Sequence, residues 1–438
     1  MSLVAAMLWS IPAFGQAIPD RARIALLRPF LDSRPGDQPL VCEVKPVEPS
    51  LGFGFRFRAG YHFQVPLNQY SGAGHNWTVF TEVTPLGGAR DPVYFVDVLK
   101  LPPIPGTDAT GDQGGGYLLG EGSYRVRWAL IDDRRRVCRK GWDIDVKLRR
   151  DEGGAKVAMR PFTVAESSLR GIFSASPPSD AGPPLRLSIL LDAAPMYPGR
   201  VVRNVLRGND SIFLIGALAA LLERVPASSV RVVLFNLEQQ RELFHRDGFT
   251  RESLDDMARS LNDLQLATVD YQALQTRPGD FVAGLINREL RAAPLSDAVI
   301  ILGPQERYRE KLPANALERI NGAMPQFFFL KYPALQPVNL RPSLQRRRDA
   351  PVCGETRGLD MGSADSERTF RGGGDPCARW DPGLSEALSY EEDTIGLAVK
   401  SLKGKVIPIQ SPGEFAKAIQ QLERRVIPAS AQPVSRNK

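Results

Sequence analysis

Histidine is scarce in this chain: 438 residues hold three, His62, His75 and His245, none of them near another in sequence. The four cysteines, Cys42, Cys138, Cys353 and Cys377, form no CxxC pair and lie far from those histidines. A structural or catalytic zinc needs such ligands at fixed short spacings, so a zinc site is disfavoured. The chain also lacks a GxSxG elbow, a GxxxxGK[ST] phosphate loop, a HExxH helix and a GxGxxG turn after a strand. Those absences remove the common signatures of acyl transfer, nucleotide binding and metalloprotease chemistry, and leave any acid-base work to carboxylates. Basic residues outnumber acidic ones only slightly, 56 to 49, and no Lys/Arg block is interleaved with aromatics. Nucleic acid is therefore not an expected partner. No run reaches the roughly 20 apolar residues needed to cross a bilayer.

What the chain does have is an ordinary globular composition, 43% hydrophobic, and a length that suits two or three domains. Residues 1–17 read as a signal peptide: the apolar stretch Leu3-Val4-Ala5-Ala6-Met7-Leu8-Trp9 is followed by Ala13-Phe14-Gly15-Gln16, a small-x-small cleavage pattern, although no Lys or Arg precedes the apolar core. The expected location is secreted or periplasmic, with no membrane span after cleavage. In an exported chain the even number of cysteines reads as disulfides, one in each half: Cys42 with Cys138, and Cys353 with Cys377.

Residues 18–150 alternate with period two, as strands of a β-sandwich do. Phe53, Phe55 and Phe57 share one parity, then Tyr61, Phe63 and Val65; Trp77, Val79, Thr81 and Val83 line another face; Tyr124, Val126, Trp128 and Leu130 alternate with Arg125 and Arg127. Cys138 has the parity of Trp142, Ile144 and Val146, and Cys42 that of Val44, so both thiols face one core and a bridge would clamp two sheets. Gly122-Ser123-Tyr124-Arg125-Val126-Arg127-Trp128 resembles the penultimate strand of immunoglobulin-like and fibronectin-like modules. Asp108 and Asp112 with Gly114-Gly115-Gly116 lack the alternate-oxygen spacing of a calcium loop and read as a mobile loop. The Arg134-Arg135-Arg136 run reads as a solvated hairpin tip.

Residues 151–184 are rich in Pro, Gly and Ser and read as a linker. A larger domain is expected over 185–430, with a charged, turn-rich insertion at 333–393 and a tail at 431–438. It opens on Arg186-Leu187-Ser188-Ile189-Leu190-Leu191-Asp192, an apolar run too short for a helix and ending on an acid. Helices at 211–222, 252–264, 280–292 and 411–425 alternate with strands at 229–236, 297–302, 326–331 and 405–409. Such units imply a mostly parallel sheet covered on both faces. The first helix is apolar nearly all round, so it is expected to be covered on both sides.

The order strand-Asp192-loop-helix, with the ending Gly404-Lys405-Val406-Ile407-Pro408-Ile409 and Ser411-Pro412-Gly413-Glu414-Phe415, resembles a von Willebrand factor A-type domain over about 185–426. It is similar to the A-domain-related proteins of soil bacteria such as acidobacteria. The resemblance implies a doubly wound, mostly parallel α/β fold behind the immunoglobulin-like sandwich. It also implies a divalent-cation site of the form Asp-x-Ser-x-Ser, with a loop Thr and a strand-end Asp. Here the first position is Asp192, but Ala194 and Met196 replace the serines, Thr268 is a loose match to the loop threonine, and the later strand ends on Gly303-Pro304. A degenerate site without metal is the expectation, with Asp192 capping the following loop through backbone N–H groups; magnesium or manganese enters only if Asp192 and Thr268 are ligands. The function expected is a non-catalytic binding or scaffolding protein that engages a protein or cell-envelope component. The alternatives are a cation-dependent adhesion domain and a hydrolase using carboxylates around Asp192 and Glu306.

Overall fold

The computed structural model describes residues 17–88, 91–104, 106–167, 185–195, 206, 208–264, 277–306, 308–318, 322–332 and 392–426. It opens on helix α1, Arg21–Leu27, whose first turn is closed by Asp20 accepting from the Arg23 N–H. Seven long strands follow: β1 Glu43–Leu51, β2 Phe57–Pro66, β3 Asn76–Pro85, β4 Val93–Lys100, β5 Thr110–Leu119, β6 Gly122–Asp132 and β7 Val137–Val146. A short β8, Val164–Glu166, completes them. They form two antiparallel sheets, in the orders β4-β3-β6-β7 and β1-β2-β5-β8.

The alternation read from the sequence sets what these sheets bury. Trp77, Val79 and Trp128 point inward from β3 and β6 with Tyr61, Phe63 and Val65 from β2, and Val83, Tyr124 and Val126 do so with Phe57 and Ala59. The bridge between Cys42 and Cys138 forms, linking the residue before β1 to β7 and thus one sheet to the other. It closes a loop across 96 positions, the kind of constraint that most restricts an unfolded chain. Cys353 and Cys377 lie outside the described residues, as do residues 1–16 of the expected signal peptide. Ala17 pairs with Val96 at the edge strand β4.

The second half contains β9 Leu185–Asp192, α2 Gly208–Arg224, β10 Ala227–Asn236, β11 Arg241–Arg246, α3 Leu254–Asn262, α4 Pro278–Arg291, β12 Ala298–Pro304, β13 Gln326–Tyr332, α5 Thr394–Ser401, β14 Lys405–Pro408 and α6 Pro412–Val426. One sheet results, in the order β11-β10-β9-β12-β13-β14. One apolar core, under α2 and α6, continues into the sandwich; another lies under α4 and α5.

This arrangement corrects the expected fold class. A doubly wound α/β domain of the von Willebrand A type behind an immunoglobulin-like sandwich does not describe the chain. More described residues lie in strands than in helices, and eight of the 14 described strands belong to the two antiparallel sheets. The six-stranded sheet is itself mixed, with β11 antiparallel at its edge. One sandwich sheet recruits β8 from the segment read as a linker. Apolar runs mark buried strands one at a time; the sheet each strand joins depends on long-range pairing that a local pattern does not encode.

The two halves meet on α2, which is covered on both sides. A Cβ on Gly54 would sit 3.3 Å from the Cα of Gly216, so the backbones touch where a larger residue would separate them. Beside that contact, Phe53 packs on Phe213 with centroids 4.0 Å apart, and Phe55 stacks on Phe415 of α6. Phe55 is not in a strand: it sits in a turn with φ of 51°, and β2 begins at Phe57. Arg56 is buried and pairs with Glu223 at 2.5 Å, while its Nη1 donates to the Gly54 carbonyl.

Candidate functional site

Asp192 is the last residue of β9, at the carboxyl edge of the six-stranded sheet, and is wholly buried. Its strand is internal: β10 pairs on one side, Phe235 opposite Asp192, and β12 on the other. Gly303 of β12 makes room for it, since a Cβ there would lie 2.6 Å from that of Asp192. The chain leaving β12 then brings Glu306 in beside Asp192. The strand does end without an acid, on Gly303-Pro304, but Glu306 two residues later supplies one from the loop.

A third carboxylate completes the cluster. Asp393 caps α5 by accepting from the Gly396 N–H at 2.8 Å, and its other oxygen accepts from the Glu306 N–H at 3.1 Å. Lys331 of β13 places its Nζ 3.9 Å from the same carboxylate. Asp393 therefore ties the end of the 333–393 segment to the loop after β12. Tyr332, also buried, neighbours Asp192, Asp210 and Glu306.

The electrostatics follow from this enclosure. Burial pushes the Asp192 carboxyl up to about 7, with the neighbouring Glu306 pulling it partly back and Asp393 and Glu238 adding repulsion. Glu306 is raised well above the usual carboxylate range, by burial first and then by Asp192. Burial also raises Asp393, against the Gly396 N–H and Lys331, which favour its charged form. Two carboxylates cannot hydrogen-bond to each other, because neither has a proton to give. As carboxylates, both oxygens of Asp192 and Oε1 of Glu306 lack a well-formed hydrogen bond, and the Leu237 N–H is the one backbone donor that favours the Asp192 charge. One shared proton, resident on Glu306 and donated to Asp192, removes the repulsion and gives the pair a hydrogen bond.

This set does not fit a divalent cation. A hard cation of this kind takes about six oxygens, whereas Ala194, at the first expected serine position, presents a buried methyl group. Among the described residues no group of three His, Cys, Asp or Glu side chains is placed to hold a metal. Thr268 and Met196 lie outside the described residues. Asp192 and Glu306, named together in the hydrolase alternative, are brought into contact. The part of Asp393 was missed, although an Asp immediately before Thr394-Ile395 is a helix-start signal.

Among the described residues no helix is long and apolar enough to cross a membrane. No protein-family model matches the chain, and no curated protein matches it. Among solved structures, the chain is similar to a Bordetella pertussis protein described as ApaA, at 11% identity over 26% of this chain and 99% of that one, with a TM-score of 0.18. A structural-genomics target matches at 14% identity over 26% of this chain and 95% of its own length, with a TM-score of 0.16.

Proposed function

We propose that the chain is an exported, non-catalytic binding or scaffolding protein that engages a protein or envelope partner. The observation that carries this reading is the complete burial of Asp192 against Glu306 at the sheet's carboxyl edge. A catalytic acid or an adhesion cation has to meet its substrate or ligand there, and these carboxyls meet each other. Sharing a proton, they hold the loops after β9 and β12 together, and Asp393 fastens α5 to the same point. The seam at Gly54 and Gly216 supports the scaffolding part, because it joins the two halves through a shared core. The Cys42–Cys138 bridge supports export, since such bonds persist in oxidising compartments.

The test is capture of a solubilised envelope fraction by the immobilised full chain, with and without EDTA, for the natural chain and Asp192→Asn. Saturable capture that survives both the chelator and the substitution is expected. Capture that needs magnesium or manganese and vanishes in Asp192→Asn would replace this reading with cation-dependent adhesion. Ester or glycan turnover lost in the same variant would replace it with a hydrolase.

A further inference from the structure

We propose that the hollow between α1 and the β6–β7 hairpin binds an acidic peptide segment of a partner protein, one that carries an apolar side chain among its carboxylates. The inference rests on the binding role proposed above and gives it a surface and a partner chemistry; it does not involve the carboxyl-edge cluster.

The hollow encloses about 440 Å³ and has two unlike walls. Leu26, Pro29 and Phe30 form the apolar one, and Leu26 is 69% exposed, an isolated large aliphatic group facing solvent at the rim. Arg34, Arg134 and Arg135 form the basic one. Arg34 and Arg134 bond Asp37 and Asp132 through their backbone N–H groups, so those bonds do not occupy their guanidinium groups. Arg135 lies over the Phe30 ring at 5.5 Å and joins the two walls. The single acid of the lining, Asp37, is already engaged by Arg139 at 2.6 Å and by the Arg34 N–H. The net character offered to a ligand is therefore cationic beside an apolar shelf.

The walls are held in place before any ligand arrives. Arg139 Nε donates to the Phe30 carbonyl, fixing the segment after α1 to β7. Backbone bonds from Val137 to Gln38 and from Leu40 to Val137 fix the chain that follows. Arg136 and two backbone N–H groups of the hairpin grip Asp132. Guanidinium groups carried on a fixed backbone suit carboxylates, which they bind in bidentate fashion. The apolar shelf selects against a bare inorganic anion, which would leave Leu26 and Phe30 uncovered. A concave hollow of this size takes one or two side chains, not a flat bilayer.

The experiment is fluorescence anisotropy of the full chain with labelled acetyl-Asp-Glu-Phe-Asp-Glu-amide, compared with the Asn/Gln version of that peptide, with inorganic phosphate as competitor and with phosphatidylglycerol vesicles. Saturable binding of the acidic peptide is expected, weakened about tenfold or more by the double substitution Arg34→Glu/Arg134→Glu and by Leu26→Asp. Near-UV circular dichroism and an intact Cys42–Cys138 bridge show that each variant is folded. Several results overturn the proposal: no binding of the acidic peptide, equal affinity for the uncharged peptide, binding unchanged in the double variant, displacement by phosphate alone, or association with vesicles in place of peptide. Envelope capture that persists in the double variant while the peptide fails to bind sinks this inference and leaves the binding role standing. Absence of envelope capture by the natural chain, together with absence of peptide binding, sinks both.

Discussion

Two buried aspartates end two strands of this molecule, and they live in opposite circumstances. Asp132, at the end of β6, accepts from the backbone N–H groups of Arg134 and Arg136 at 3.0 and 2.8 Å and from Arg136 Nε at 2.7 Å. Tyr70 donates its hydroxyl to it and accepts in turn from Trp77 Nε1. Asp192, at the end of β9, is enclosed just as fully but faces carboxylates and a tyrosine, with the Leu237 N–H as its one backbone donor. Burial alone therefore says little about a carboxylate's role; the donors around it decide whether it is a charged anchor or a proton holder.

The comparison breaks most visibly if the two are removed in turn. Asp132→Ala strips two backbone N–H groups and Arg136 of their acceptor inside the fold, and should destabilise the chain by about 3 kcal/mol in urea titration. Asp192→Asn removes a charge that the interior disfavours. At pH 8 it should leave stability unchanged or raise it. A loss at Asp192→Asn equal to that at Asp132→Ala would show that Asp192 has donors of its own, and the distinction would collapse.

Much of this contrast was legible in the residues, and some of it was not. The runs at β9, β12 and β13 read as buried strands because they are apolar throughout and bounded by turn residues. The parity of Cys42 and Cys138 placed both thiols in one core. Strand β5 has the composition of a mobile loop, with Asp112 and Gly114-Gly115-Gly116, and the local pattern gives no strand there. Its glycines serve a close approach instead: a Cβ on the facing Gly60 would lie 2.1 Å from the Gly115 carbonyl oxygen. Asp192 stood out as the acid at the end of the central strand. Its state depends on Glu306 and Asp393, which lie 114 and 201 positions further along the sequence, and no local pattern announces such a meeting. The fold class failed for the same reason, since antiparallel partners are chosen at long range.

A smaller effect sharpens the same contrast through pH. The folded Asp192 carboxyl titrates at about 7, far above the ordinary value near 3.8 it has when unfolded. The folded chain thus holds a proton that the unfolded chain has lost, and stability falls as pH rises between those values. The contribution is fully present below the unfolded value and gone above about pH 7. Between pH 5 and pH 8 the natural chain should lose on the order of 2 kcal/mol that Asp192→Asn retains. Parallel melting curves of the two proteins across that range measure it; superimposable pH dependence would mean that Asp192 itself takes up no proton between pH 5 and pH 8.

The smallest effect belongs to the sandwich, where His75 is the counterpart of Asp192 as a group whose protonation the fold selects. Its Nε2 faces the Ser71 carbonyl oxygen at 2.9 Å and its Nδ1 faces Asp133 at 3.1 Å, and each of those partners can only accept. Both ring nitrogens must therefore carry protons for both bonds to form, which only the imidazolium provides. The Ser71 carbonyl first, and Asp133 next, raise its pKa above the ordinary 6.5, against opposition from burial and from Arg134. A cation favoured by folding contributes fully below the unfolded value and is lost as pH rises through the folded one. Asp192 loses its contribution in the same direction for the opposite reason: there the fold rejects a negative charge, and here it recruits a positive one. His75→Gln can satisfy one of the two acceptors at any pH, so it should lower the melting temperature slightly at pH 6 and not at pH 9. Added salt, which reaches the partly exposed Asp133 of this ion pair but not a buried proton, should shrink the His75 effect and leave that of Asp192 intact. An imidazole titration midpoint at or below 6.5 by NMR would remove His75 from the comparison.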